Sequence, residues 1–266
     1  MKKLHLIMPM GGGGTRFGNV GYESPKPLID LFGKPFFYYA TKSITDYVDV
    51  ASVTFVVLKD HVDRFEIDER ILEYFPDARI EVIPEVLPGA VLTCMAGVKN
   101  LPDGEPVLFN DCDHAFVCNS FSNYVGPKGK IINDPDSDVC PCGRDEIILD
   151  GALLTFESDE DKFSYAAFDE EGYVVRTVEK EVISSDAICG AYYFADKETF
   201  LKNAEEYLTK CSYKEFFMSG VYNVMCEHGL KIKTFRTDEH ISFGTPDEYE
   251  EVLEKYTNRN NLLTKC

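Results

Sequence analysis

The sequence predicts an α/β fold: a Rossmann-like, mixed but mainly parallel sheet flanked by helices, with a small antiparallel extension in the second half. Three observations lead there. Strand-like and helix-like hydrophobic patterns alternate through the first half. Residues 53–58 (Val-Thr-Phe-Val-Val-Leu) form a nearly continuous β-branched and aromatic run, as expected of a central parallel strand covered on both faces. Between residues 152 and 194 strand patterns follow one another without intervening helices.

In order, residues 4–8 form a short buried strand, and a helix over 36–44 has Pro35 marking its first turn, where a missing N–H costs nothing. After the strand at 53–58 come helical patterning over 61–75, a strand at 80–83, a helix over 91–98 and a buried strand at 106–109. Strands then follow at 152–156, 164–168, 173–178 and 188–194, with Glu170-Glu171-Gly172 as a tight turn between two of them. Helices return at 197–208 and 214–228, before a strand at 231–236 and a last helix from about Pro246. With no internal repeat and no Pro/Ser-rich linker, 1–266 reads as a single domain with halves 1–118 and 119–266 of different strand character.

Composition narrows the function. With 44% apolar and 13% aromatic residues, the chain can bury a full core. The apolar run from Leu4 to Met10 is too short to cross a bilayer and leads into glycines rather than a cleavage site, so the expectation is a soluble, cytoplasmic protein. A formal charge of -19 argues against nucleic acid or an anionic membrane as partner. Nine cysteines, an odd number without a secretory signal, read as reduced thiols, and Cys140 and Cys142 are too close together for a standard zinc knuckle.

The most informative stretch follows the first strand: Pro9-Met10-Gly11-Gly12-Gly13-Gly14-Thr15-Arg16-Phe17-Gly18. Consecutive glycines let backbone N–H groups approach a triphosphate closely, and Arg16 adds a guanidinium that can grip phosphate bidentately. Asn19 and Val20 follow Gly18 where a Walker loop requires Lys and Ser/Thr. A dinucleotide fingerprint wants a small residue at Arg16 and an acid after the second strand, where Leu58-Lys59 stands. Further on, Ser24-Pro25-Lys26-Pro27-Leu28-Ile29 braces a lysine between prolines, which aims its ammonium.

Taken together, the glycine loop ending in Gly-Thr-Arg and the Pro-Lys-Pro-Leu segment resemble the sugar-phosphate nucleotidyltransferase family. The resemblance continues through Gly89-Ala90, Asp111-Cys112-Asp113-His114, Gly151-Ala152, Val178-Glu179-Lys180, Gly190-Ala191-Tyr192-Tyr193-Phe194 and Gly244-Thr245-Pro246, so it spans almost the whole chain. It is similar in particular to short single-domain members associated with capsule and surface-polysaccharide biosynthesis, and it implies the nucleotide-diphospho-sugar transferase fold.

The implied reaction moves NMP from an NTP to a phosphorylated acceptor, a sugar 1-phosphate by default, releasing pyrophosphate. In this assignment Met10, Gly11, Gly12, Gly13, Gly14 and Thr15 hold base and triphosphate, Arg16 and Lys26 act catalytically by neutralising phosphate charge, and Glu85, Gly89 and Ala90 belong to the base-reading segment. Glu179, Lys180 and Gly190 take the acceptor. Asp113 matches the family's metal aspartate with Asp111 beside it, as ligands to Mg²⁺ at the carboxyl end of a strand, where open α/β sheets place their ligands. The expected partners are NTP and a phosphorylated small molecule, with room for a homo-oligomer. Two departures stand out: Glu181 replaces a usual proline, and Ser242 stands where many members place a second metal-binding aspartate, which leaves Asp238 as one substitute. A non-catalytic nucleotide-sugar-binding relative and a DxD-type glycosyltransferase using Asp111-Cys112-Asp113 are the alternative readings.

Overall fold

The structure is a computed structural model that describes residues 3–126, 128 and 148–256. In chain order it runs β1 (Leu4–Met10), α1 (Thr15–Gly18), a 3₁₀ turn (Lys26–Leu28), the two-residue strands β2 (Asp30–Leu31) and β3 (Lys34–Pro35), and α2 (Phe36–Thr45). There follow β4 (Val50–Leu58), α3 (Lys59–Phe65), α4 (Ile67–Tyr74), β5 (Arg79–Ile83), α5 (Ala90–Val98), β6 (Val107–Asn110), β7 (His114–Val117) and α6 (Asn119–Val125). The remainder comprises β8 (Gly151–Glu157), β9 (Ser164–Phe168), β10 (Val174–Glu179), β11 (Asp186–Phe194), α7 (Lys197–Lys210), α8 (Met218–Glu227), β12 (Ile232–Arg236), β13 (Glu239–Ser242) and α9 (Pro246–Tyr256). Cys140 and Cys142 lie outside the described residues.

Nine of these strands share one sheet, in the order β10-β9-β11-β6-β1-β4-β5, with β8 pairing β11 and β12. The pairs β1/β4, β1/β6 and β4/β5 are parallel, whereas β11 runs antiparallel to β6, β8 and β9. This is the mixed, mainly parallel architecture expected of the first half, with the antiparallel extension supplied by the second. Alternate residues of the central strands fill opposite faces. Ile7, Val56 and Leu58 join the core that packs against α5, α7 and α8, while Leu6, Met8, Phe55 and Val57 face α2, α4 and α6. A period of two along strands buried on both sides is what their unbroken hydrophobicity requires. A third aromatic cluster, with Phe17, Phe36 and Phe243, packs against α9. Among the described residues no helix is long and apolar enough to cross a membrane.

The structure revises two of the predicted helices. The pattern over 61–75 is two helices, because Glu66 takes a left-handed backbone (φ 52°) that ends α3 and starts α4, and so turns Ile67 and Ile71 into the core. The helix predicted over 214–228 begins only at Met218. The preceding residues are strapped to the start of α5 instead: Phe216 donates its N–H to Pro88 O (3.1 Å) and accepts from Val91 N–H (3.2 Å).

Candidate active site

The strand order fixes where a ligand can bind. β1 is followed on one side by β4 and β5, while β6 pairs with its other edge, so the connections diverge between β1 and β6. A crevice opens at the carboxyl ends of strands at such a switch point. The carboxyl end of β1 is Met10 and the glycine loop, and that of β6 is Asn110, followed by Asp111. Between them lies a cleft of about 190 Å³ lined by Met10, Gly12, Gly14, Lys26, Asp111 and Asp113, among others.

Lys26 reaches this cleft because Pro25 holds an extended backbone (φ -61°, ψ 145°) and Lys26 opens a 3₁₀ turn in which Leu28 N–H bonds Pro25 O (2.8 Å). Gly14, left-handed at φ 59°, passes close enough that a Cβ there would stand 3.4 Å from Lys26 Cβ. The ammonium donates to Asp113 Oδ2 at 2.7 Å, with 27% and 25% of the two side chains left exposed to the cleft. Burial works against both charges, but each holds the other ionised: the Asp113 carboxyl is drawn below its usual range by Lys26, and the Lys26 ammonium is pushed up by Asp113. Asp113 is also steered by the chain behind it, since its carbonyl accepts from Phe243 N–H (3.0 Å) and a Cβ on Gly244 would stand 2.6 Å from Oδ2.

Asp111 behaves differently. Burial first, then the Asp113 charge and more distantly Glu179, raise its carboxyl to about 7 despite Lys26. Its backbone N–H donates to Gly190 O (2.9 Å), where β11 departs from regular register between Ile188 and Tyr192. Gly190 has φ 95° and a Cβ there would stand 2.7 Å from Asp111 Oδ2, so the close approach of the two strands depends on glycine. The donor set fits a hard divalent cation: two carboxylates facing one cleft, with Asp111 destabilised as an anion until positive charge arrives. The neighbouring Cys112 thiol, pushed up to about 12 by burial, stays protonated.

The remaining expected residues fall into other places. Arg16 is exposed on α1, has no ion pair among the described residues and does not line the cleft. Thr15 and Gly13 are exposed at the loop rim, and Gly11 is buried against Ile83 and Thr93. Glu85 is exposed in the turn after β5. Gly89 (φ 118°) precedes Ala90 at the start of α5, and a Cβ there would stand 2.3 Å from Phe216 N, so close chain packing accounts for the glycine. Glu179 closes β10 and accepts from the hydroxyls of Ser164 and Ser219 (3.0 Å for the latter). Lys180 is exposed with a left-handed backbone (φ 58°), its ammonium 5.4 Å from the Phe217 ring.

Ser242 proves to be part of a helix cap. Glu248, at the third position of α9, accepts from Ser242 Oγ (2.9 Å), Gly244 N–H (2.9 Å) and Thr245 N–H (3.0 Å), while Thr245 Oγ1 accepts from Glu248 N–H (3.3 Å). This is a reciprocal capping box, readable in the sequence as Thr245-Pro246-Asp247-Glu248, though its service to the site was not. It fixes the Ser242–Thr245 segment that backs Asp113. Asp238 is committed elsewhere, accepting from Asn119 N–H (2.7 Å) at the start of α6.

The fold is that of nucleotidyltransferases of known structure, and the cleft lies at the β1/β6 switch point. The model superposes on a nucleoside-diphosphate-sugar pyrophosphorylase from Vibrio cholerae RC9 with a TM-score of 0.75, covering 94% of this chain and 99% of that one at 22% identity. In sequence, a D-glycero-alpha-D-manno-heptose 1-phosphate guanylyltransferase from Campylobacter jejuni is 25% identical over 94% of this chain and 99% of its own length. A 2-C-methyl-D-erythritol 4-phosphate cytidylyltransferase from Clostridium perfringens is 31% identical over 119 residues, 45% of this chain. That match spans 50% of the relative's length. No family model matches the chain. Its homologues and structural neighbours are nucleotide-sugar pyrophosphorylases and related nucleotidyltransferases, at low identity.

Proposed function

We propose that this chain is a nucleotidyltransferase that transfers NMP from an NTP to a sugar 1-phosphate, forming an NDP-sugar and pyrophosphate. The observation that carries the reading is the meeting of the glycine loop, the Lys26–Asp113 pair and Asp111 in one cleft at the β1/β6 switch point. The heptose 1-phosphate guanylyltransferase, alike over nearly its full length, supports a sugar 1-phosphate as acceptor.

In this reading an acceptor phosphate oxygen attacks the α-phosphorus, a new P–O bond forms, and the bond to the β-phosphate oxygen breaks so that pyrophosphate leaves with the electron pair. The nucleophile is already an anion, so no general base is needed, and positioning and charge stabilisation carry the acceleration. The glycine loop presents N–H groups to the triphosphate. Lys26, ionised by its contact with Asp113, stands ready to share its donors with the α-phosphate, and Arg16, exposed at the loop's edge, closes on the departing pyrophosphate. Glu179 orients the acceptor's hydroxyls and Lys180 its phosphate. Asp111 and Asp113 would hold Mg²⁺, which supplies charge neutralisation on the phosphates when bound. Residues 1–118 serve the nucleotide and 119–266 the acceptor, within one domain of a cytoplasmic enzyme of surface-polysaccharide precursor synthesis.

The test is a matrix of the common NTPs against hexose 1-phosphates, heptose 1-phosphate and phosphocholine, read by pyrophosphate release with Mg²⁺ present or withheld. Metal-dependent pyrophosphate with one acceptor class is the expected result. No release with any pair, despite nucleotide-sugar binding, would instead identify a non-catalytic relative.

A further inference from the structure

One residue beyond Asp113 the chain enters β7, and there His114 is 2% exposed. Its ring meets two side chains from other strands: Cys189 of β11, a buried free thiol, and His240 of β13. The ligand atoms that these three residues offer all lie within 4.8 Å of one another. Neither the nucleotide nor the acceptor half of the proposed reaction uses any of them.

The hydrogen-bond network fixes which nitrogen of His114 carries the proton. Asn110 Nδ2 donates to Ala40 O at 3.0 Å, which fixes the orientation of the amide. Its Oδ1 is therefore the atom at 3.1 Å from His114 Nε2, and it can only accept, so Nε2 carries the proton. His114 Nδ1 is buried and makes no close, well-aligned hydrogen bond, although the Asp111 backbone also lies near the ring. His240 Nε2 is likewise buried and unpartnered. The two rings lie 5.6 Å apart, centroid to centroid, and the His240 ring is held by stacking on Phe156 at 4.0 Å and 20°. Two orphaned imidazole nitrogens beside a thiol are costly in a folded interior unless something joins them.

We propose that His114, Cys189 and His240 form a zinc site, separate from the Asp111/Asp113 site. Two imidazoles and a thiolate are a borderline-soft donor set that suits Zn²⁺ and not Mg²⁺, which takes oxygen ligands. The Asn110 carboxamide is the outer partner that a metal-bound histidine requires on its second nitrogen. Tetrahedral Zn²⁺, with bonds of about 2.0 to 2.3 Å, brings its ligand atoms to about 3.5 Å from one another, so binding draws the side chains together by on the order of 1 Å. The Cys189 thiol gives up its proton to solvent as the Zn–S bond forms, and water completes the fourth position. The ion would cross-link β7 and β13, which flank Asp113, to β11, which flanks Asp111. Its role is to fix the distance between the two carboxylates.

The experiment uses the full chain, stripped with a chelator and titrated with Co²⁺ and then Zn²⁺ in excess Mg²⁺, which occupies the carboxylate site. The expected result is one equivalent of Co²⁺ with a near-ultraviolet thiolate charge-transfer band, bleached by Zn²⁺, and a Tm raised by Zn²⁺. Cys189→Ser, close in volume, abolishes the band and the Tm shift, and His240→Gln weakens binding at least ~10-fold. Asp113→Asn and the double variant Cys140→Ser/Cys142→Ser keep the band. Circular dichroism checks each variant's fold, and if His240→Gln does not fold, Cys189→Ser alone decides. A wild-type protein without a thiolate band, a band that survives Cys189→Ser, or one lost only with Cys140 and Cys142 overturns the proposal.

Discussion

The two halves of the cleft are prepared to different degrees. On the β1/β6 side the charged groups already touch one another: Lys26 is bonded to Asp113, and Asp113 is backed by Gly244 and the capped start of α9. On the β10/β11 side, Glu179 is tied to Ser164 and Ser219 and Lys180 lies over Phe217, so neither lines the cleft. Glu179 is nevertheless near enough to contribute to raising the Asp111 carboxyl. Under the proposed function, the difference teaches that nucleotide binding would fall to preorganised groups held by short backbone segments, whereas acceptor binding would fall to long side chains that must exchange existing contacts for the ligand.

Breaking the prepared side should cost most. Lys26→Ala and Asp113→Ala are each expected to lower turnover at least ~100-fold, the scale of losing one transition-state electrostatic contact, as measured by pyrophosphate release. Arg16→Ala tests whether an exposed arginine closes on the leaving group; a fall of ~10- to 100-fold in kcat/KM for NTP is expected, and an unchanged value would remove it from the mechanism. On the unprepared side, Glu179→Gln should raise the acceptor KM by about 10-fold and leave the NTP KM nearly unchanged, since it removes a binding contact and not a phosphate one.

Smaller effects sharpen the contrast between Asp113 and Asp111. With chelator present, Asp111 holds its proton to about 7 in the folded chain but only to about 4 unfolded. Between those values the folded state binds the extra proton, so this group's contribution to stability falls as pH rises from about 4 to about 7 and is level above. Asp111→Asn should therefore gain stability relative to wild type as pH rises through that window, measured by denaturant unfolding at pH 5 and pH 8. Smallest of all, Glu248→Ala should cost about 1 kcal/mol through loss of the cap, with a modest fall in kcat because the segment behind Asp113 loosens.

Much of this was legible beforehand for identifiable reasons. Strands buried on both faces announce themselves as unbroken apolar runs, so β1, β4 and β6 were found within a few residues of their ends. The strands β7 and β13 were missed, since each is defined by its pairing with the other and not by a local pattern. Gly89, expected in the base-reading segment, also has a φ of 118° and a close approach to Phe216, a packing constraint that depends on a loop more than a hundred residues away. The left-handed turn at Glu66 has no glycine to mark it.

By itself the sequence determined the parallel core, the glycine loop at the end of β1, and the residue types on which phosphate chemistry depends, because each is written in local order: periodicity, proline bracing, consecutive glycines. Only the tertiary structure decided that Lys26 meets Asp113 across 87 residues, that Asp111 and Asp113 carry opposite shifts, and that the ligand atoms of His114, Cys189 and His240 come within 4.8 Å of one another. Those facts depend on distances between strands and on burial, which no stretch of chain contains until the sheet has formed.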